Sequence, residues 1–229
     1  VNTGDLIKHM NAYYAKRAAD HDYFMGYKGN EEMERLLGPM IEWFEDDVEG
    51  RDVLEIACGT GNWTQVLAKR ARSVVATDVN ASVIDIARSK EYGNDRVRFE
   101  VADAYDLGAV EGSFDAAFAA DWWSHIPKSA LRAFVSGLRR KLDPRSRVII
   151  IDMLPREELD RWFSHYDDDG NLIHKRTFPN GEVFEVVKNF PTERELEEVL
   201  TGLADGVEYH EHDALRRWML TFTTSPDDS

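Results

Sequence analysis

Residues 53–61, VLEIACGTG, restrict the folds open to this chain more than any other stretch. Val53, Leu54 and Ile56 form an apolar run of the kind that fills a buried parallel strand. Gly59 and Gly61 then permit a tight turn in which backbone approaches a ligand with no Cβ in the way. An amphipathic helix is predicted to follow from Asn62 to about Arg70. A second apolar strand over residues 73–77 ends in Asp78. An acid at that point grips a ribose diol in nucleotide-binding α/β folds.

The turn also narrows the ligand. A dinucleotide site seats a pyrophosphate at a helix N-terminus, usually through Gly-x-Gly-x-x-Gly. Here Thr64 occupies the third glycine position, and Glu55 stands just before the turn, where it would repel a pyrophosphate. A carboxylate there suits a ligand that carries positive charge. The stretch resembles motif I of the class I S-adenosylmethionine-dependent methyltransferases, whose cofactor has a sulfonium, an ammonium and a ribose but no phosphate.

That resemblance extends along the chain. Residues 96–104 (RVRFEVADA) resemble the third strand of the family, with Asp103 as the acid that receives the adenine amino group and Ala104 beside it. Residues 113–121 (SFDAAFAAD) resemble the fourth strand, leading from Asp121 into Trp122, Trp123 and His125. Residues 147–152 (RVIIID) resemble the fifth. The resemblance implies cofactor contacts from Tyr14, Arg17, Glu55, Ala57, Cys58, Gly59, Gly61, Trp63, Asp78, Val79, Asp103, Ala104, Asp121 and Trp122. It also implies an α/β, doubly wound, mostly parallel seven-stranded sheet, with no metal. Residues 1–48 are expected to form a helical lid, 50–155 the cofactor core, 156–190 a substrate-side insertion and 191–229 a final helix and strands, all within one domain.

Composition bounds the partners. A formal charge of −15 over 229 residues opposes a polyanion across most of the surface, whereas nucleic-acid binding draws its affinity from Lys and Arg on phosphates. The basic clusters at 69–72 and 139–141 fall near predicted helix ends, where cations complement the helix dipole. No apolar run approaches a membrane span, and the first residues show no basic region followed by an apolar stretch. A cytoplasmic monomer or homodimer is expected. The lone cysteine, Cys58, cannot form an intramolecular disulfide, and its place in the glycine turn suits packing on the cofactor better than nucleophilic catalysis.

Helical spacing of Leu36, Leu37, Met40, Ile41 and Phe44 marks a helix over 31–47, after a first helix over 3–20. Further helices are expected at 81–90 and 128–141, and late strands near 206–211 and 217–224. Two β-rich runs flank Pro179, Asn180 and Gly181, a strong hairpin signal. Thr192 is the expected N-cap of the next helix, with Glu195 completing a capping box.

The acceptor side is read from two places. His125 follows the fourth strand, where ligands sit in open α/β sheets. Its ring is a candidate general base for a substrate hydroxyl, or a structural residue bonded to backbone. On the hairpin, His174 and Arg176 have the same parity and so share a face. Arg176 and Lys188 on adjoining strands, expected close to the turn, offer cations to an anionic group. From about residue 10 to 195 the chain is similar to phosphonate O-methyltransferases of the dehydrophos pathway. The matching elements are Tyr13-Tyr14-x-x-Arg17, Gly59-x-Gly61-x-Trp63-Thr64, His125-x-Pro127, Arg176-Thr177 through Gly181, and Val187-Lys188. His21-Asp22 departs from the Tyr-Asp common in the family. With Tyr27, Arg176 and Lys188 as substrate residues, the expected function is methyl transfer from S-adenosylmethionine to a small molecule, foremost at oxygen. A protein or thiol methyltransferase and a non-catalytic cofactor-binding regulator are the alternatives.

Overall fold

The computed structural model describes residues 3–18 and 30–225. Ten strands and seven α-helices are defined among them. The first helix, α1 (Thr3–Arg17), and α2 (Asn30–Val48) precede the first strand. Strands β1 (Asp52–Ile56), β2 (Ser73–Asp78), β3 (Val97–Val101), β4 (Ala116–Ala120) and β5 (Arg147–Met153) follow, with α3 (Asn62–Ala68) after β1, α4 (Ala81–Arg88) after β2 and α5 (Leu131–Lys141) after β4. A short α6 (Glu157–Asp160) leads into β6 (Phe163–Tyr166), β7 (Leu172–Thr177) and β8 (Val183–Val187). The chain then forms α7 (Glu193–Leu200), β9 (Ala204–His212) and β10 (Arg217–Thr224).

The main sheet has the order β3-β2-β1-β4-β5-β10-β9. Its first five members are parallel, and β10 runs antiparallel to both β5 and β9. Sequence order reverses between β1 and β4, and in such sheets the crevice at the strand carboxyl ends is where ligands bind. Successive residues along the strands alternate between two apolar layers. Val53, Val74, Ala116, Phe118, Ile149 and Ile151 meet Met40, Ile41 and Phe44 of α2 and Trp63 of α3 on one face. Leu54, Ile56, Ala117, Val148 and Ile150 meet Phe134, Val135 and Leu138 of α5 and Leu196 of α7 on the other. Full burial of each large apolar side chain contributes roughly 1.5–3 kcal/mol. Glu55 shares its face with Val53, so it points into the α3 layer.

A second sheet, β6-β7-β8, is antiparallel. The hairpin was legible in the sequence but β6 and α6 were not. Helix α1 packs on this sheet: Leu6, Met10 and Tyr13 form a cluster with Ile173, Val186 and Val187. Tyr13 also meets the Phe178 and Phe184 rings, and Lys16 pairs with Glu182 beside the turn. The capping box at Thr192 and Glu195 is present. Among the described residues no helix is long and apolar enough to cross a membrane.

Candidate functional site

The turn after β1 is coiled into the left-handed region at Ala57, Gly59 and Gly61, with φ of 53°, 55° and 83°. A Cβ on Gly61 would stand 2.3 Å from Tyr92 Oη, so this position admits no side chain without displacing that phenol. The turn is stitched to the end of β2. Cys58 N donates to Thr77 O at 2.9 Å, and Gly59 N donates to Asp78 Oδ2 at 3.1 Å. Asn80 N donates to Asp78 Oδ1 at 2.9 Å, which fixes the carboxylate at the sheet edge. Thr64, in place of a third glycine, is buried and donates to Glu55 Oε2 at 2.6 Å.

These elements wall an open cleft that encloses about 950 Å³, solvent included. Its lining brings together most of the residues singled out in the sequence: Tyr14, Glu55, Ala57, Cys58, Gly59, Trp63, Asp78, Val79, Ala104, Asp121, Trp122 and His125. Asp121 is itself in the left-handed region at φ 55° and is paired with the buried Arg217. Trp122 lines the cleft while Trp123 is core. Asn11, Asn62, Asn80 and Val83 also line it. Asn80 sits two residues past Asp78 and was findable on that ground, whereas nothing in the sequence marked Asn11.

The other expected residues flank this lining or stand apart from it. Gly61 shapes the turn but is not part of the lining. Asp103 is exposed and accepts from Tyr105 N at 2.9 Å. β3 ends at Val101, and Ala102 and Ala104, on either side of Asp103, line the cleft. Arg17 donates to Tyr13 Oη at 2.6 Å and is not in the lining. Tyr27, His21 and Asp22 fall outside the described residues. Lys188 was expected near the Asn180–Gly181 turn. The register places it at the opposite end of the hairpin, with its N–H on Leu172 O. Its ammonium is buried, donating to Ser124 Oγ at 2.7 Å and lying 3.4 Å from Asp152 Oδ1.

Burial shapes the electrostatics. It pushes the Glu55 carboxyl up to about 8, offset in part by the Thr64 hydroxyl and reinforced by Asp78. Burial also drives the Cys58 thiol up, aided by Glu55 and Asp78, which leaves it a poor nucleophile. His125 is held down to about 3 by burial and by Lys188. Its Nδ1 faces the Val187 carbonyl at 2.6 Å, so Nδ1 carries the proton and Nε2 accepts from Tyr14 Oη at 2.8 Å. Both ring nitrogens are therefore engaged, and the geometry offers no free base at this position.

Beside Tyr14 lies a group of cations. Arg176 and Arg161 rest on the Trp162 ring, at 3.9 and 4.4 Å from its centroid. The titratable groups around Arg176 are the neutral phenols of Tyr14 and Tyr13 and the guanidinium groups of Arg17 and Arg161. No ion pair engages Arg176 among the described residues. The shared face with His174 is present, with Arg176 Nη2 3.5 Å from His174 Nδ1, and burial and Arg176 lower that imidazole to about 4.

The cleft fits the cofactor that the turn implied. Its lining sets the Asp78 carboxylate at the sheet edge, and Glu55 offers an acid with no cation beside it. Residues 53–145 match the family model described as a methyltransferase domain. Over the whole chain the fold is similar to DhpI. Its complex with SAH superposes with a TM-score of 0.77 at 28% identity, covering 98% of this chain and 100% of that one. The DhpI–SAM–HEP complex gives 0.74 at 28% identity, covering 97% and 99%. The chain has the fold of the class I S-adenosylmethionine-dependent methyltransferases, with a methyltransferase-domain match over its cofactor core. Among curated proteins it is 33% identical over 105 residues to a demethylmenaquinone methyltransferase of Clavibacter sepedonicus, and 30% identical over 118 residues to a fatty-acid O-methyltransferase of Mycolicibacterium smegmatis. These matches cover 46% and 51% of this chain, which spans 42% of the length of each relative.

Proposed function

We propose that this chain transfers a methyl group from S-adenosylmethionine to an oxygen of a small anionic acceptor. The observation that carries this is Arg176, a largely buried guanidinium with no ion pair, facing the cleft residue Tyr14 in a chain of charge −15. A buried cation of this kind is stable when an anion completes it. The whole-chain likeness to a protein solved with SAM and HEP supports the same reading, as do O-methyltransferases among the curated relatives.

When bound, the cofactor supplies an electrophilic methyl on a sulfonium. The protein's contribution is then alignment and exclusion of water. Asp78 holds the ribose and Glu55 faces the methionine end. Arg176 fixes the acceptor anion, whose oxygen is already deprotonated and needs no base. His125 serves as a fixed acceptor that keeps the Tyr14 hydroxyl, and with it α1, at the cleft.

Asp78→Ala is expected to weaken cofactor binding by about 1–3 kcal/mol, the usual loss for a truncated charge-assisted hydrogen bond. Calorimetric titration with S-adenosylhomocysteine checks it. The reading as a whole is tested by labelled S-adenosylmethionine against small phosphonates, carboxylates, phenols, amines and thiols. Label is expected in an ester of the acids. Tight cofactor binding with transfer to none of them would favour a regulator, and transfer to an amine or thiol alone would refute the oxygen assignment.

A further inference from the structure

Glu55 is the one acid set inside β1, four residues into a strand whose other positions beyond Asp52 are apolar. Its side chain is buried yet belongs to the cleft wall. A carboxylate removed from water needs a counter-charge or several donors. Glu55 has one donor, the Thr64 hydroxyl from α3. The titratable groups that face it from the neighbouring elements are Asp78 at the end of β2 and Cys58 in the turn. Across the cleft stand Tyr14 of α1, His125 and Asp121. None of these brings a positive charge: His125 is neutral at physiological pH, and Asp121 is already matched by Arg217. Lys90, which reaches the start of α3, donates to Asn62 Oδ1 at 2.9 Å. Two backbone amides address Asp78 and a single hydroxyl addresses Glu55.

We propose that Glu55 stands in the cofactor-free cleft as a neutral carboxylic acid and gives up its proton when a cationic ligand group enters, so that cofactor binding releases a proton to solvent. This rests on the reading of the cleft as a cofactor site. Before binding, the O–H bond is intact and the cleft carries no unmatched charge at Glu55. On binding, that bond breaks, the proton passes to water, and the carboxylate faces the ligand cation while Thr64 keeps its hydrogen bond. A nearby opposite charge favours the ionised form, and the raised affinity of the empty site for a proton is the other half of the same linkage. Glu55 thereby makes affinity depend on ligand charge. The cofactor has two candidate cations, its ammonium and its sulfonium, and the product S-adenosylhomocysteine keeps only the first.

Calorimetry of the full chain at pH 7, in phosphate and in Tris, reads the proton through the difference in buffer ionisation heats. The ligands are S-adenosylmethionine, S-adenosylhomocysteine and methylthioadenosine, which has neither cation. The expected result is release of most of one proton with S-adenosylmethionine and none with methylthioadenosine. Glu55→Gln, which keeps an oxygen for Thr64, should abolish the release. Release with S-adenosylhomocysteine as well assigns the ammonium, and release with S-adenosylmethionine alone assigns the sulfonium. In wild-type protein the affinity for S-adenosylmethionine should also rise about tenfold from pH 6 to pH 7, a reading independent of how the variant folds. Binding of S-adenosylmethionine without proton release, or equal release with methylthioadenosine, overturns the proposal and leaves the cofactor reading intact. Failure of S-adenosylmethionine to bind overturns both.

Discussion

Lys188→Met is expected to lower folding stability by about 3–5 kcal/mol, the usual cost of removing one partner of a buried ion pair. Asp152 is fully buried at the end of β5, and Ser124 N, Ser124 Oγ and Met153 N all donate to it. Lys188 is the cation in that nest. Its loss leaves a charge that no solvent reaches, and it also unties the foot of the hairpin from the main sheet. Urea unfolding measures the effect as a fall in midpoint with little change in slope. The double variant Lys188→Met, Asp152→Asn should recover much of the loss, because the stranded charge is gone. A deficit below about 1 kcal/mol in the single variant would be the signature of a surface pair instead.

Acid should destabilise the protein through His125. Burial and Lys188 hold its folded value at about 3, below the ordinary imidazole value of 6.5. The fold therefore has the full benefit of the neutral ring above pH 6.5 and loses it as pH falls toward 3. At pH 4.5, two units below the unfolded imidazole, the loss from this residue is about 2–3 kcal/mol. His174, lowered to about 4, adds in the same direction. Glu55 has the opposite sign: its folded value lies above the unfolded one, so its contribution is present at low pH and is lost as pH rises through about 8. His125→Gln retains an amide for the Val187 carbonyl and an acceptor for Tyr14. Unfolding free energies at pH 7 and pH 4.5 should differ less in this variant than in the wild type, by that 2–3 kcal/mol. An equal difference in both would show that His125 titrates normally in the fold.

The parallel core was legible because its signals are local. The apolar run at Val53, Leu54 and Ile56 must be a buried strand, and the glycines at 59 and 61 adopt conformations that other residues avoid. Glu55 and Asp78 were found for the same reason, since each follows directly from its place in a strand. What escaped depends on tertiary contacts that no local pattern encodes. Parity placed His174 and Arg176 on one face, but parity does not reveal what covers that face. Lys188 was expected beside Arg176 as a cation for an anionic group, but Asp152 of β5 and Ser124 enclose it. His125 was found at the cleft, but the Val187 carbonyl and the Tyr14 hydroxyl that engage its ring come from elements 62 and 111 residues away in sequence.

The most direct test of the central claim is the Michaelis constant of Arg176→Ala for the anionic acceptor that wild type methylates, measured beside its cofactor affinity. An increase of about 10- to 100-fold is expected, in keeping with about 1.5–3 kcal/mol for a hydrogen bond to a charged group, with binding of S-adenosylhomocysteine unchanged. Arg176→Lys should recover little if the anion is held by two parallel N–H groups, because an ammonium cannot reproduce the guanidinium fork. A normal Michaelis constant in the Ala variant would contradict the account and reduce the cations around Trp162 to a structural feature of the hairpin.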